Sequence, residues 1–400
     1  MTQNAYQSLP HTSFMNRYEG VDAILDEDYD AYLHVGDEDD ENLYYLSDFD
    51  APDPFTLLRT DDGKTVLLVS TLEHGRAQKE SNADEVRNTN EFFDGDRRGD
   101  PEARVGSLAR FLDDYDAQNV AVPRDFSLYT ADELREREYG VETVPDPVSE
   151  TRAVKEEDEI EKIRRVQRAN EEAMRRAQKL LEEAEPRDGE LVHDGKPLTA
   201  ERVKTEIEVA LVRERCSLDT TIVACGERGT DPHWRGEGAL RPDEPIIIDI
   251  FPRGESKYFA DMTRTFVVGE PSDRVREMYE LSLNAQEAAF DVLDKGAEAE
   301  ISGEDVHDAV CDVYEDAGYG TVRNGDETGF IHSTGHGVGL EIHEEPRLST
   351  GGDELRAGSV VSVEPGLYLP EVGGVRVEDL VVVREDGYEN LTGYPKDLTV

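Results

Sequence analysis

A glycine-rich stretch near the end of the chain constrains its folding more than any other segment. Residues 329–345 read GFIHSTGHGVGLEIHEE and contain His332, His336 and His343, three of the nine histidines in the chain. His332 and His336 have a spacing that could place two ligands on one helical face, but each interior glycine costs a helix about 1 kcal/mol relative to alanine. The stretch is therefore predicted to be extended or looped backbone that approaches other groups closely, and a helical HExxH zinc site is excluded.

Four carboxylates lie inside apolar, strand-like runs. They are Asp249 in PIIIDIF, Asp261 in YFADMTRTFVV, Glu364 in VVSVEPG and Glu378 in GGVRVEDLVVV. An acid in such a strand is disfavoured unless it is paired or bound to metal. These acids and a histidine could cluster only around cations, because like charges otherwise raise one another's pKa or move apart. Two divalent cations with bridging carboxylates would meet this need, and oxygen ligands with one imidazole suit Mn²⁺, Co²⁺, Zn²⁺ or Fe²⁺.

Two simpler interpretations stay open from the residues alone. The three histidines could lie on a mobile surface loop without any chemical role. Each acid could be an ordinary ion-pair partner, for example Asp261 with Arg264. A cluster of several such residues in one order is nevertheless typical of a functional site.

The charge of the chain limits its partners. It carries 92 acidic and 43 basic residues, for a formal net charge of −49. Such a charge repels nucleic acid and anionic membrane surfaces, so neither is an expected partner. The simplest account is a halophile's protein with a carboxylate-rich surface that works in high salt. A hydrophobic content of 37% and repeated amphipathic segments argue against disorder, the competing interpretation.

The cysteines and the apolar runs indicate a compartment. Three widely spaced cysteines without a CxxC pair predict reduced thiols and no disulfide framework. The first residues, MTQNAYQSLPHTSF, lack the features of a signal peptide, and no apolar run reaches the ~18 residues of a membrane span. A cytoplasmic protein is the expectation.

The length predicts two domains. Residues 1–148 are expected to form a smaller α/β domain, with strand-like runs at 66–69 and 119–122, helical spacing at 105–116 and a polar loop at 90–100. The prolines of VPDPVS, residues 144–149, mark the boundary. Residues 149–400 form the second domain.

The second domain is predicted to contain the same order of secondary-structure elements twice. Helices are predicted at 156–184 and 200–213, followed by strand-like runs at 220–224, 245–251 and 263–268. Helices at 273–295 and 303–317 come next, and then the strand-like segments that carry the histidines and the last two acids. This α/β order predicts two similar half-domains, helix, helix and sheet, whose sheets meet with a site at their junction.

Several motifs resemble one known family. ADMTRTF, TGHGVGLEIHEEP, VEPGLY and GGVRVED are similar to those of the metallopeptidases that include Xaa-Pro aminopeptidase, prolidase and methionine aminopeptidase. ENLYYLSDF, residues 41–49, resembles the N-terminal domain of the Xaa-Pro branch and of creatinase, and TRAVKEEDEIEKIR resembles that branch's interdomain segment. The resemblance implies a creatinase-like N-terminal domain, a "pita-bread" catalytic domain with pseudo-twofold symmetry, and a homodimer.

The resemblance also implies two metal ions, most simply Mn²⁺, and their ligands. Asp249 would bind one metal, Asp261 and Glu378 would bridge both, and His336 and Glu364 would bind the other. The step from Asp249 to Asp261 is twelve residues (261 − 249), one more than is usual in the family, and we assign the extra residue to a longer hairpin in FPRGESKYF.

Further residues match positions that face the substrate in the family. His233 in GTDPHWRGEG resembles a histidine that contacts substrate, His343 one that stabilises the oxyanion, and His332 another active-site histidine. Arg376 resembles an arginine near the bridging glutamate. Arg347 in HEEPR falls where some prolidases bind the substrate carboxylate.

The implied function is hydrolysis of the bond between an N-terminal residue and proline, with Glu364 as general base. The main prediction is an Xaa-Pro aminopeptidase acting on peptides with proline in the second position, and the alternative is an Xaa-Pro dipeptidase (prolidase). Creatinase works without metal, whereas all five ligand types are kept here, and methionine aminopeptidase lacks the extra domain. A non-catalytic peptide-binding relative would typically have lost ligands.

Overall fold

The computed structural model describes residues 16–25, 29–93 and 100–400. The chain divides into two compact units, Met1–Arg152 and Ala153–Val400. None of the helices in the described ranges is long and apolar enough to cross a membrane. The segment inspected for a signal peptide and residues 94–99 of the predicted loop lie outside the described residues.

The first unit is built on a six-stranded mixed sheet. Its strands are β1 (Ala31–Gly36), β2 (Phe55–Thr60), β3 (Thr65–Val69), β4 (Glu85–Asn88), β5 (Asn119–Val122) and β6 (Gly140–Thr143). Its helices are α1 (Glu19–Leu25), α2 (Glu41–Ser47), α3 (His74–Glu80), α4 (Pro101–Asp113), α5 (Leu128–Glu136) and α6 (Ser149–Arg152). The strand order is β4-β3-β2-β1-β5-β6, with antiparallel pairs β1–β2 and β2–β3 and parallel pairs elsewhere.

The sequence pattern predicted the main elements of this unit. The runs at 66–69 and 119–122 are strands β3 and β5. The helix predicted at 105–116 begins earlier, because Asp100 caps it by accepting a hydrogen bond from the backbone N–H of Glu102 and Pro101 occupies its first turn. The first seven residues of ENLYYLSDF form helix α2, whose N-cap Asp40 accepts a hydrogen bond from the Leu43 N–H at 2.7 Å.

The second unit contains four long helices and several small sheets. The helices are α7 (Glu157–Glu182), α8 (Ala200–Arg213), α9 (Asp273–Leu293) and α10 (Gly303–Asp316). The strands of its first half are β7 (Glu185–Arg187), β8 (Glu190–His193), β9 (Lys196–Pro197), β10 (Cys216–Ser217), β11 (Thr221–Cys225), β12 (Ile246–Ile250), β13 (Arg253–Gly254) and β14 (Met262–Phe266). Those of its second half are β15 (Gly335–Gly337), β16 (Glu344–Leu348), β17 (Val360–Val363), β18 (Gly366–Leu369), β19 (Gly373–Arg376), β20 (Asp379–Arg384) and β21 (Gly387–Asn390).

The predicted repeat of helix, helix and sheet is confirmed. Helices α7 and α8 pack together and precede the antiparallel sheet β11-β12-β14, while α9 and α10 pack together and precede the sheet β16-β15-β17-β20-β21. The glycine-rich stretch is extended backbone at β15, as predicted. The small sheet β7-β8-β9 after α7, the pair β10–β13 and the hairpin β18–β19 were not predicted.

The two half-sheets meet through backbone and side-chain hydrogen bonds. The Glu378 N–H donates to the Thr263 carbonyl at 3.1 Å, and the Thr265 hydroxyl donates to the Arg376 carbonyl at 2.9 Å. The FPRGESKYF segment closes as a tight turn in which the Gly254 N–H donates to the Tyr258 carbonyl at 2.9 Å. The junction therefore brings β12 and β14 beside the ends of β17 and β19.

Candidate functional site

The five predicted metal ligands lie in or next to strands from both halves of the second unit and line one cavity. Asp249 lies in β12, Asp261 directly precedes β14, His336 is the middle residue of β15, Glu364 directly follows β17, and Glu378 lies between β19 and β20. All five line a cavity of about 650 Å³. Residues that are more than 100 positions apart in sequence thus face the same space, where several ligands could share a cation.

The side chains of this cluster are close enough to share cations. His336 Nε2 lies 3.3 Å from Glu364 Oε1 and 3.7 Å from Asp261 Oδ2. One ligand atom from each of Asp261, His336 and Glu378 lies within 4.8 Å of the others. Carboxylate and imidazole donors at this spacing suit a first-row divalent metal.

Unpaired oxygens show that the residues fit such a metal. Asp249 Oδ1, Asp261 Oδ1 and Glu378 Oε1 are buried and have no hydrogen-bond donor among the described residues. The three residues are 7%, 5% and 2% exposed. Buried carboxylate oxygens without donors are costly, and a bound cation removes that cost. The donor set therefore fits divalent metal ions.

The electrostatics of the protein alone lead to the same conclusion. Burial, followed by repulsion from neighbouring carboxylates, raises the pKa of Asp261 and of Glu378 well above the usual range. Glu364 behaves differently: burial opposes its charged form, but the hydrogen bond and charge of His336 lower its pKa to about 2. Without a cation, the cluster cannot hold all of its acids ionised together.

A second layer of side chains orients the acids. Arg376 Nη2 donates to Asp249 Oδ2 at 2.5 Å, and its Nε donates to the Thr263 hydroxyl at 3.1 Å. The Thr263 hydroxyl in turn donates to Glu378 Oε2 at 2.7 Å. Arg376 Nη1 donates to the Tyr368 hydroxyl at 2.9 Å. Such partners fix the direction in which metal ligands point.

The remaining histidines surround the same cavity. His343 packs edge-on against His336 with ring centroids 4.3 Å apart, and burial lowers its pKa. His332 contacts the Tyr368 hydroxyl at 3.1 Å, and burial lowers its pKa to about 4, so its ring is neutral at pH 7. His233 lines the cavity on an exposed loop, where its backbone N–H donates to Asp231.

Arg347 completes the predicted set. Its side chain is 69% exposed, lines the cavity and has its Nε 3.3 Å from Glu345 Oε1. In strand β16 it pairs with His336 of strand β15. All ten predicted site residues therefore face one cavity, and an accessible guanidinium at its edge could bind a carboxylate.

Comparison with known families identifies the fold. Residues 161–385 match the model of metallopeptidase family M24, and residues 17–166 match the creatinase/prolidase N-terminal domain. The chain belongs to metallopeptidase family M24. The resemblance of the motifs and the predicted architecture, a creatinase-like α/β domain followed by a pita-bread domain, are confirmed.

Relatives of this M24 protein include named peptidases. It is 36% identical to an Xaa-Pro dipeptidase from Lactobacillus delbrueckii subsp. lactis, over 50% of this chain and 52% of that protein. It is 37% identical to an Xaa-Pro dipeptidase from Pyrococcus furiosus, over 46% of this chain and 50% of that protein. The matches thus span about half the length of these curated relatives.

Solved structures match nearly the whole chain. The prolidase from Pyrococcus horikoshii OT3 superposes with a TM-score of 0.76 at 26% identity, covering 96% of this chain and 99% of the other. An X-Pro aminopeptidase from Thermotoga maritima MSB8 has the same TM-score of 0.76 at 27% identity, covering 92% of this chain and 98% of the other. The M24 fold seen here is therefore shared by dipeptidases and aminopeptidases.

The structure also corrects the ion-pair alternative for Asp261. Arg264 pairs with Asp379, its Nη2 lying 2.9 Å from Asp379 Oδ1. The same guanidinium donates to the Glu378 carbonyl at 2.6 Å, so it supports the backbone of a predicted ligand.

Sequence reasoning missed several polar partners of the site in this M24 protein, among them Thr263 and Tyr368. Thr263 lies two residues after Asp261 in ADMTRTF, and side chains two apart in a strand share a face, so the motif held a usable signal. Tyr368 lies in VEPGLY but reaches Arg376 and His332 only through the unpredicted hairpin β18–β19.

Proposed function

We propose that this M24 protein is a dinuclear metal-dependent Xaa-Pro dipeptidase that cleaves the bond between a first residue and proline. The observation that carries the proposal is the convergence of five fitting ligands with His233, His343 and Arg347 on one cavity. The curated relatives named as Xaa-Pro dipeptidases support this choice over the aminopeptidase prediction.

The proposed ligands divide between two divalent cations. Asp249 would bind one, His336 and Glu364 the other, and Asp261 and Glu378 both, with Mn²⁺ the first candidate. When bound, such cations act as Lewis acids that activate water and polarise the scissile carbonyl. The unpaired buried oxygens of Asp249, Asp261 and Glu378 support this assignment.

The protein's own groups would move the protons and hold the developing charge. Glu364, which lines the cavity beside His336, would accept a proton from the attacking water and deliver it to the leaving proline nitrogen. His343, helped by His233, would donate a hydrogen bond to the oxyanion. Arg376 would hold Asp249 in place, and neutral His332 would contact the substrate.

Arg347 favours a dipeptide substrate. Its exposed guanidinium lies at the cavity wall, where it could bind the free carboxylate of a C-terminal proline through two hydrogen bonds. Ile222, Ile331 and Ile342 line the same cavity and offer an apolar surface to the rigid proline ring and to the first side chain.

The test compares Gly-Pro with Gly-Pro-Ala in molar KCl with Mn²⁺, before and after chelation by EDTA. We expect cleavage of the dipeptide, loss with EDTA and recovery with Mn²⁺. Arg347→Ala should raise KM for Gly-Pro far more than kcat falls, whereas Arg228→Ala, an exposed arginine paired with Glu237, is the matched control. Failure of the metal-loaded protein to cleave Gly-Pro would contradict the proposal.

A second candidate is the Xaa-Pro aminopeptidase. The equal structural similarity to an X-Pro aminopeptidase supports it. Cleavage of Gly-Pro-Ala in preference to Gly-Pro would select it.

Four further properties stay predictions: the identity of the metal, the homodimer, the cytoplasmic compartment and the high-salt origin. Metal analysis tests the first, sedimentation tests the dimer, and a salt titration of activity tests the salt dependence.

A further inference from the structure

A buried lysine lies at the start of the second unit, outside the residues that the proposed function uses. Lys155 Nζ is 2.5 Å from Glu344 Oε1, with side chains only 1% and 7% exposed. A buried ion pair is weak support for stability, because removing two charges from water costs about as much as their attraction returns. The position of the Lys155–Glu344 pair therefore says more about its role than its contribution to stability does.

Glu344 holds the segment that carries His343. It directly follows His343, begins strand β16 and pairs with Gly337, which directly follows His336. The strand register shifts between His336 and Gly337, so this end of the hairpin is irregular. The pairing of Glu344 with Gly337 therefore places His336 and His343 side by side, with ring centroids 4.3 Å apart.

The loop between the two strands wraps around the Glu344 carboxylate. Glu344 Oε2 accepts a hydrogen bond from the Glu341 N–H at 3.3 Å. Gly339 packs so closely that a Cβ at this position would lie 2.2 Å from Glu344 Oε1. The Phe259 N–H donates to the Gly339 carbonyl at 2.7 Å and holds the loop from the other side. The Glu344 carboxylate therefore contacts both Gly339 and Glu341 in the loop that ends at His343.

The backbone of Lys155 is hydrogen-bonded to the segment that leads to Glu364. Its backbone N–H donates to the Gly358 carbonyl at 3.0 Å. Gly358 has a φ of +95°, and a Cβ there would lie 2.8 Å from the Lys155 carbonyl. Gly358 shortly precedes strand β17, which leads directly to Glu364. One residue therefore connects the segment before Glu364 to the segment after His343.

We propose that Lys155 is a positioning residue that orients His343 toward the cavity through Glu344. Lys155 is not among the described residues that line the cavity, so it would act only through its partner. The ammonium would hold the Glu344 carboxylate, the carboxylate would hold the loop, and the loop would set the direction of the His343 ring. The kinetic part of this inference rests on the proposed function.

A double-mutant cycle separates positioning from a purely structural role. Lys155→Met should lower kcat for Gly-Pro by about 10–100-fold, the usual effect of removing such a supporting partner, with KM nearly unchanged. In a His343→Ala background the same substitution should cost little more, because the group it orients is already gone. Equal losses in both backgrounds would overturn the proposal.

Controls keep the test decisive if the first variant folds poorly. Lys155→Met leaves the Glu344 carboxylate buried without the lysine ammonium, whereas Lys155→Met with Glu344→Leu removes both charges. The paired variant should fold and still lose kcat, and wild-type kcat in it would overturn the proposal. Arg176→Met, which breaks the Arg176–Glu206 pair away from the cavity, should leave kcat unchanged.

A spectroscopic measurement is independent of the reaction. In protein with ¹⁵N-labelled histidine, Lys155→Met should shift the ring signals of His343, which are identified by their loss in His343→Ala. Unshifted signals would overturn the positioning role whether or not the protein cleaves Gly-Pro. If the wild type cleaves neither peptide, the proposed function fails and the spectra alone decide this inference.

Discussion

Two buried charged clusters lie side by side in the second unit and differ in one respect. Glu378 belongs to the first, with Asp249 and Asp261, and each of these acids keeps an oxygen without a donor among the described residues. Its neighbour Asp379 belongs to the second, in which Asp379 accepts hydrogen bonds from Arg264 at 2.9 Å and Asn390 at 3.0 Å and forms an ion pair with Lys396 at 2.6 Å. Adjacent residues on one backbone thus face two different environments.

The comparison teaches how a ligand differs from a structural acid. Arg264 uses its guanidinium fully, donating to Asp379 and to the carbonyls of Thr263, Glu378, Tyr394 and Pro395. That cluster is complete within the protein and stabilises the fold. The other cluster is incomplete, because three of its acids keep a buried oxygen without a donor among the described residues, and bound cations would satisfy those oxygens. Both clusters are buried and charged. They differ in whether every carboxylate oxygen has a hydrogen-bond donor within the protein.

The largest effect is expected for Glu364, whose replacement should lower kcat without lowering the stability of the fold. Glu364→Gln should reduce kcat for Gly-Pro by about 10²–10⁴-fold, the usual contribution of a general base. The fold should be retained, which circular dichroism and thermal unfolding would check. Glu354→Gln, at an exposed acid of the same unit, is the control. Near-normal kcat in Glu364→Gln would contradict its assignment as the base.

Asp379 should show the opposite behaviour. Asp379→Asn leaves the buried Arg264 without its ionic partner and should lower the free energy of unfolding by about 3–5 kcal/mol. Asp158→Asn, which removes an exposed pair with Lys162, should change it by less than about 1 kcal/mol. Urea denaturation of both variants measures the difference. Equal effects would mean that the Arg264 cluster does not stabilise the fold.

Much of this contrast could be predicted from the sequence, but its decisive part could not. Apolar periodicity placed α8 at the bounds observed, because Thr199 caps it and one face is buried. Local pattern also placed Asp249 in a buried strand and Asp261 shortly before one. Local pattern singled out Glu378 in its apolar run but gave no reason to exclude the adjacent Asp379, and the family resemblance then implied that Glu378 is a ligand.

Local pattern cannot distinguish these two acids, because alternation along a strand assigns side chains to two faces but does not show which segment packs against each face. Which of Glu378 and Asp379 faces the cavity depends on the packing of β14 against the other half-sheet, a contact between distant segments. The same limit explains the missed contact of Tyr368 with His332 and the missed Lys155–Glu344 pair, whose partners are far apart in sequence. Long-range pairing is outside the reach of local periodicity.

Thr263 offers a finer test of the incomplete cluster. Thr263→Val removes the hydroxyl that donates to Glu378 Oε2 at 2.7 Å and should weaken metal affinity by about 10–100-fold. Thr321→Val is the matched control, because Thr321 is equally buried and its hydroxyl donates to Glu315 at 2.6 Å. Calorimetric titration of chelated protein with Mn²⁺ compares the two. Equal affinities would mean that Thr263 has no part in orienting the ligand.

The smallest expected effect is also the closest test of the comparison. In metal-free protein, burial and repulsion from neighbouring acids favour the protonated form of Glu378, which glutamine matches in shape. Glu378→Gln should therefore change the free energy of unfolding of chelated protein by no more than about 1 kcal/mol, since it removes no satisfied ion pair. With Mn²⁺ present, the wild type should gain stability on binding and the variant should gain less. If chelated Glu378→Gln is instead as unstable as Asp379→Asn, Glu378 is a structural acid like its neighbour, and the two clusters do not differ in kind.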